Sequence, residues 1–212
     1  ISNLSLVRNP QEVGPPCSPS DLREALRERT EEVVRLVSDW AVRPGPVSFK
    51  DFERALKEAA YALARAAVVM FLVLRNEHLK GARSGRFERG GRTFRPAPAI
   101  ERNLMTLFGI VRYARTYMRE VADNTRRGFF PLDVDLGLTS DRFSWNLLSA
   151  AVRLATKLSF AEARSTLGDF VPSTPSTEVI EQAVLGLGRH TGEWFETAPA
   201  PTLEGDGEVL VM

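Results

Sequence analysis

Residues 59–74 have the sequence AAYALARAAVVMFLVL, in which Arg65 is the single charged residue. A helix that is apolar nearly all round is buried on several sides. The stretch is shorter than the roughly 20 apolar residues that cross a bilayer. It therefore predicts the central helix of a mainly α fold. The helix before it cannot cover it alone, so a later part of the chain or a second copy must contribute.

Start signals place this helix and the one before it. Ser18, Pro19 and Asp21 match an N-cap, a proline in the first turn and a capping box. Ser48 and Asp51 repeat the pattern. We therefore predict a long helical pair over 18–79, after an extended arm at 1–17, with a homodimer formed through helix 48–76.

Charge is distributed unevenly along the chain. The net charge is +1, yet residues 80–127 hold twelve Lys/Arg against four Asp/Glu, a net of +8, and the remainder carries −7. A basic segment between acidic flanks favours a polyanionic partner. Alternatively, it pairs with acidic helices of the same protein.

The basic segment opens with arginines at a spacing of three, among glycines that break a helix. A loop or irregular hairpin is expected, and guanidinium forks suit phosphate oxygens. The alternative is a solvated loop. The candidate phosphate contacts here are Arg83, Arg86, Arg89, Arg92 and Arg95.

A β-hairpin around Gly109 follows within the segment 80–139. Alternation predicts one strand face with Val111, Tyr113, Arg115, Tyr117 and Arg119. Interleaved basic and aromatic residues favour nucleic acid, although a sheet packed on the second helix explains them equally well. Further candidate contacts are Arg112, Arg115, Arg119, Arg126 and Arg127.

The connector PLDVDLG at 131–137 carries two acidic residues two positions apart. On an extended segment Asp133 and Asp135 would point the same way. Structural turn residues are favoured over a metal site.

Residues 140–196 predict three consecutive helices, the third capped by Thr174 and begun by Pro175. A short helix, a turn and a longer helix match the helix-turn-helix arrangement. A trihelical unit that only packs gives the same pattern. On the first interpretation the third helix reads bases, with Glu178 also exposed on it; the candidate base contacts are Ser176, Thr177, Glu181 and Gln182.

The single cysteine, Cys17, excludes an intrachain disulfide, and no Cys/His cluster has zinc-ligand spacing. With no signal peptide, these features favour a cytoplasmic protein with no membrane and no small-molecule substrate. The predicted fold class is mainly α with a small β hairpin or sheet.

Several blocks together resemble the bacterial insertion-sequence transposases of the ISKra group. They are FGIVRYARTYMRE, PLDVDLGL, LSFAEAR, STEVIE and the closing PAPTLEGDGEVLVM. The resemblance implies the N-terminal region of a DDE-type transposase, located at the nucleoid, that binds double-stranded DNA at the transposon's inverted repeats.

In that family a ribonuclease-H-like catalytic domain follows, and its carboxylates hold two divalent metal ions, expected to be Mg²⁺. The resemblance implies that this chain stops within the first strand of that domain, over 197–212, before the first catalytic Asp. No catalytic residue, metal ligand or cofactor is therefore expected within these residues. The alternatives are a stand-alone derivative acting as a DNA-binding repressor or accessory subunit, and a helical protein-interaction module.

Overall fold

The computed structural model describes residues 18–81, 87–121 and 128–197, with the backbone alone at 190–196. The arm at 1–17 and the end from 198 lie outside the described residues. The described part is mainly helical with a small antiparallel sheet of order β1-β2-β3-β4, which confirms the predicted fold class. Its elements are α1 (Pro19–Ala41), α2 (Phe49–Gly81), β1 (Phe87–Arg89), β2 (Arg92–Thr106), β3 (Gly109–Glu120), β4 (Gly128–Phe129), α3 (Pro131–Leu136), α4 (Trp145–Ala155), α5 (Phe160–Phe170) and α6 (Thr177–Thr197).

Helix α2 is the central element, as its apolar sequence predicts. Its buried Val69 and Leu72 share one core with Leu22 of α1, Tyr113 of β3 and Leu132 of α3. The chain itself therefore covers much of this helix. The helix runs five residues beyond the predicted end at Asn76, because Leu79 is buried in the same core.

The capping signals at the two helix starts are confirmed. Ser18 accepts from the Asp21 amide while the Asp21 carboxylate accepts from the Ser18 amide, which completes a capping box before α1. Ser48 accepts a hydrogen bond from the Asp51 amide at the start of α2. These local bonds satisfy amides that a helix leaves unpaired at its first turn.

Strands β2 and β3 form the predicted hairpin around Gly109, whose φ is +106°. The register shifts between Ala97 and Ile100, so that two residues of β2 lie opposite Thr116. This β-bulge explains how a strand containing Pro98 remains in the sheet, because prolines within sheets are confined to edges and bulges.

Burial along β3 does not keep to one face of the strand. Val111 and Tyr113 are buried, followed by Thr116 and Met118, so burial passes from odd to even positions. Val111 and Tyr113 share a core with Leu132, whereas Thr116 donates its amide to the buried side chain of Asn76 at 3.0 Å.

The connector after β4 forms a helix, so the prediction of an extended segment is wrong. Pro131 begins α3 and Gly137 ends it in the left-handed conformation. Asp133 and Asp135 therefore point in different directions. Asp133 bonds Arg115 of β3, and Asp135 makes two hydrogen bonds to Arg75 of α2 at 2.7 and 2.8 Å.

The last three helices surround a second core that includes Leu147, Ala151, Leu167 and Ile180. Thr174 and Pro175 precede α6, which begins at Thr177 with Ser176 at its cap, so the predicted helix start is wrong. Pro175 is instead fully buried.

Two sets of hydrogen bonds join this unit to the rest of the chain. Met105 of β2 donates to the Arg142 carbonyl and accepts from the Ser144 amide. Helix α2 adds Lys57 and Tyr61, which donate to the carbonyls of Asp169 and Phe170 at the end of α5. The last three helices are therefore joined to the rest of the described chain at two separate places, one on β2 and one on α2.

Candidate nucleic-acid interface

The basic segment contains a regular hairpin, where the sequence predicted a loop or an irregular hairpin. Gly90 and Gly91 take φ values of +56° and +73° between β1 and β2, which suits a two-residue hairpin turn. Arg89 and Arg92 are direct cross-strand partners at its tip. The Gly-Gly pair between strands was the signal that could have predicted this turn from the sequence.

These two arginines already have protein contacts. The Arg89 guanidinium lies 5.1 Å from the centre of the Phe129 ring, and Arg92 lies 3.7 Å from the Glu120 carboxylate. The Arg92 side chain nevertheless keeps 57% of its exposure. A weak, solvated ion pair of this kind contributes little and leaves donors for another partner.

Arg95 and Arg119 form the most distinctive pair of the sheet. They are direct partners in the β2–β3 register, and both are exposed. Within the described residues neither forms an ion pair, since no carboxylate lies within 4.0 Å of either guanidinium. Like charges directly opposite each other destabilise a sheet. An anion placed between them would remove that repulsion.

Two predicted contacts are instead paired within the protein. Arg112 bonds the Glu101 carboxylate across the strands, with both side chains half exposed. Arg115 bonds Asp133, is 14% exposed and lies 3.5 Å from the centre of the Phe130 ring. Burial lowers the pKa of Arg115, and the nearby Arg102 charge lowers it further. Arg115 is therefore a structural residue in this conformation.

Arg102 is a buried charged residue that sequence reasoning missed. Its guanidinium lies 3.2 Å from Asp133 and donates to the carbonyls of Thr139 and Asp141. It thus holds the segment that leads from α3 to α4. Arg102 lies on β2 between the sheet bulge and Leu104, which is buried. Side chains two positions apart share one face of a strand, so alternation alone would have predicted that Arg102 points inward.

The candidate base contacts lie at the start of α6, in unequal settings. Ser176 accepts from the Val179 amide at 3.4 Å, so its hydroxyl caps the helix. That hydroxyl also hydrogen-bonds Glu178 and lowers the pKa of its carboxylate. Thr177 is half-buried, whereas Glu181 and Gln182 are exposed. The exposed start of α6 is thus acidic.

Four of the predicted arginines lie outside the described residues: Arg83, Arg86, Arg126 and Arg127. In sequence, residues 82–86 precede β1 and residues 122–127 lie between β3 and β4. The described arginines are brought to the same end of the sheet, with Arg89, Arg92, Arg95 and Arg119 all within the paired region before the bulge.

Other kinds of site are weaker. A groove of about 340 Å³ lies between the start of α1, α2 and the sheet, lined by apolar residues and by the ion pairs Glu77–Lys80 and Glu101–Arg112, whose charges cancel. In the described ranges no three His, Cys, Asp or Glu side chains gather as metal ligands. Within the described part, no helix combines the length with the apolarity needed to cross a membrane.

Comparison with known proteins does not assign the chain. No model of a known protein family matches it, and no curated protein does either.

Proposed function

We propose that this chain binds double-stranded DNA, as the end-binding and assembly region of an insertion-sequence transposase. The observation that carries the proposal is the exposed cross-strand pair Arg95 and Arg119, which has no carboxylate partner in the described residues. Arg89 and Arg92 add two guanidiniums at the same end of the sheet but on its other face, because Arg92 and Arg95 are three positions apart on one strand. The transposase assignment rests on the sequence resemblance, and the DNA assignment on this surface.

The chemistry of the pair suits a phosphate backbone. Side chains on directly opposed residues begin about 5 Å apart, so two guanidinium forks can share one tetrahedral phosphate. Arginine presents its donors in a rigid planar fork that matches phosphate oxygens. Such contacts position a duplex without reading its sequence.

Salt dependence tests the proposal. The affinity for a random-sequence duplex should fall with salt, with a slope of about −0.9 per phosphate contact in a log–log plot. Because the two arginines share one phosphate, the double variant R95A/R119A should make that slope shallower by about 1 and weaken binding to all sequences alike.

The matched control is E101A/R112A, which removes a neutral ion pair from the same two strands. It should leave the slope unchanged. An unchanged slope in R95A/R119A would exclude the pair as a phosphate contact. A flat wild-type profile would favour the protein-interaction alternative over DNA.

Assembly would use the outward face of α2. Ala60 and Ala67 are exposed on this face, Leu56 is half-buried, and Phe71 keeps 53% exposure. Pairing α2 with a second copy about a two-fold axis beside Ala64 would set Leu56 of one copy against Phe71 of the other, and Ala60 against Ala67. This self-complementary spacing supports the homodimer.

Sedimentation equilibrium tests the dimer. Phe71→Glu should convert a dimer to a monomer, because it buries a charge in an apolar contact. Val134→Glu is the control, since Val134 is equally exposed on α3, away from this face. A monomeric wild-type chain would contradict the dimer while leaving DNA binding intact.

A further inference from the structure

The outward face of α4 is exposed and carries no acidic residue. Its inner side is fully buried at Leu147 and Ala151. The opposite side of the helix carries Trp145, Asn146 and Arg153, which are all exposed. Ser149 lies between them and is half-buried. The sequence pattern predicted the inner stripe and gave no role to this side.

The face carries positive charge and hydrogen-bonding groups without acidic residues. No Asp or Glu occurs in α4, and Arg153 and Lys157 lie four residues apart. Both are exposed, and neither has a carboxylate partner within the described ranges. Their charges are therefore available to an external anion.

Trp145 is exposed to 65% at the start of the helix, beside Asn146. An indole left in water at this level is unusual, because tryptophan is highly buried on average. Its flat apolar body and its N–H donor suit a partner with both apolar edges and acceptors. A nucleic-acid groove offers both.

The start of α6 is less favourable for binding DNA than the outward face of α4. Glu178 and Glu181 place two negative charges where a recognition helix approaches phosphates. Ser176 is engaged at the helix cap, as described above. The described surface of the trihelical unit is thus more favourable to DNA at α4 than at α6.

We propose that the outward face of α4 reads base edges in the major groove of double-stranded DNA. Arginine pairs with guanine O6 and N7, and asparagine with adenine N6 and N7. Arg153 and Asn146 supply those two groups, and the helix, about 16 Å long, fits the groove. This inference rests on the proposed function, because it names the element that gives DNA binding its sequence preference.

The position of α4 sets a minimum length for the DNA. Arg95 lies near one end of β2, and Met105 near the other end bonds the residues just before Trp145. Ten residues of strand span about 33 Å. One turn of duplex is about 34 Å. A duplex that contacts both places must therefore extend for about one full turn.

Selection from a pool of random-sequence duplexes tests the inference. The wild-type chain should enrich a preferred sequence. Asn146→Ala and Arg153→Ala should each relax the preference at one or two positions, by about 5- to 150-fold. Arg153→Lys keeps the charge but loses the planar fork, so it should weaken the guanine preference less than Arg153→Ala does while the salt slope stays unchanged.

Gln182→Ala on α6 is the matched control and should leave the preferred sequence unchanged. All four changes are at exposed positions, and thermal unfolding would verify that each variant folds. A preference that moves with Gln182 and not with Asn146 or Arg153 would overturn the assignment of α4 in favour of α6. A wild-type chain that binds the pool without enriching any sequence would also overturn it.

The two proposals fail separately. If α4 does not read bases but the sheet binds phosphates, R95A/R119A still makes the salt slope shallower, while the α4 variants leave the preferred sequence unchanged. If the chain does not bind DNA at all, no duplex is retained from the pool. Duplex length gives a further test. An eight-base-pair duplex is too short to contact both the sheet arginines and α4, so it should bind more weakly than a duplex of one full turn.

Discussion

At the scale of single residues, Asp133 is the least replaceable charge described. Its carboxylate bonds Arg115 and lies 3.2 Å from Arg102, and its side chain is 14% exposed. Burial raises the pKa of the neighbouring Tyr113, and the two guanidiniums oppose that rise. One carboxylate thus compensates two buried positive charges, which explains why Arg115 is held inside.

Asp133→Asn should strongly destabilise the protein. It leaves Arg102 and Arg115 buried without a countercharge, which costs about 3–5 kcal/mol in the free energy of unfolding. Urea unfolding measures the loss. Asp135→Asn is the control, because its partner Arg75 is 38% exposed and is not left as a buried charge, so it should cost clearly less than Asp133→Asn. Equal losses would contradict the role assigned to Asp133.

Glu162 makes the start of α5 sensitive to acid. The side chain and amide of Ser159 hydrogen-bond its carboxylate and lower its pKa in the folded protein. A lowered folded pKa contributes stability above the unfolded value of about 4.5, and that contribution is lost as the pH falls through the folded pKa.

The difference in melting temperature between the wild type and Glu162→Gln should therefore shrink as the pH falls below about 4.5. Glutamine retains the capping-box geometry but cannot titrate. Thermal unfolding monitored by circular dichroism across this pH range gives the measurement. A difference that stays constant with pH would refute the role of the carboxylate charge.

At the scale of elements, local signals were predictable and long-range pairings were not. Ser18 and Ser159 cap their helices through bonds to residues three positions away, so the sequence alone contains the whole interaction. Asp133 depends on two strands and a turn brought together by the fold. The pairing of Arg112 with Glu101 likewise needs the strand register, which no short pattern in the chain specifies.

Asn76 shows how one helix side chain maintains a strand. Its amide oxygen accepts from the Thr116 amide, and its nitrogen lies 3.4 Å from the Thr116 hydroxyl, both in a buried setting. Thr116 is the residue opposite the two-residue bulge. A helix that ended at Asn76, as the sequence predicted, would leave this residue frayed at the helix end.

Asn76→Leu should cost about 1–3 kcal/mol, because it leaves the Thr116 amide buried without an acceptor. Denaturant unfolding gives the free-energy change, and hydrogen exchange at Thr116 should speed up. Asn103→Leu provides the comparison at an exposed strand position and should change stability by less than about 0.5 kcal/mol. Unaltered exchange at Thr116 would argue against the bond.

At the scale of the whole molecule, the two cores meet on one strand. Leu104 belongs to the core around α2, and the next residue, Met105, packs against the core of the last three helices. Met105 is also held by backbone bonds to Arg142 and Ser144. The sheet thus connects a unit that carries the arginines with a unit that carries α4.

Because both cores share β2, we expect them to unfold together. Leu72→Ala in the first core and Leu147→Ala in the second should each cost about 2–5 kcal/mol and lower the same single transition. Calorimetry decides the matter, since equal calorimetric and van't Hoff enthalpies indicate one cooperative unit. Two transitions, with each variant lowering only one, would show that the cores are independent.

The bulge beside Pro98 has a consequence for how this chain can change over evolutionary time. Arg95 lies opposite Arg119 only because one additional residue between Ala97 and Ile100 reverses the alternation of β2. Deleting Ala99 would keep every chemical group of the surface, yet it would rotate Arg95 to the far side of the sheet. Relatives of this chain that keep the surface should therefore tolerate substitutions at 98 and 99 but conserve the number of residues there.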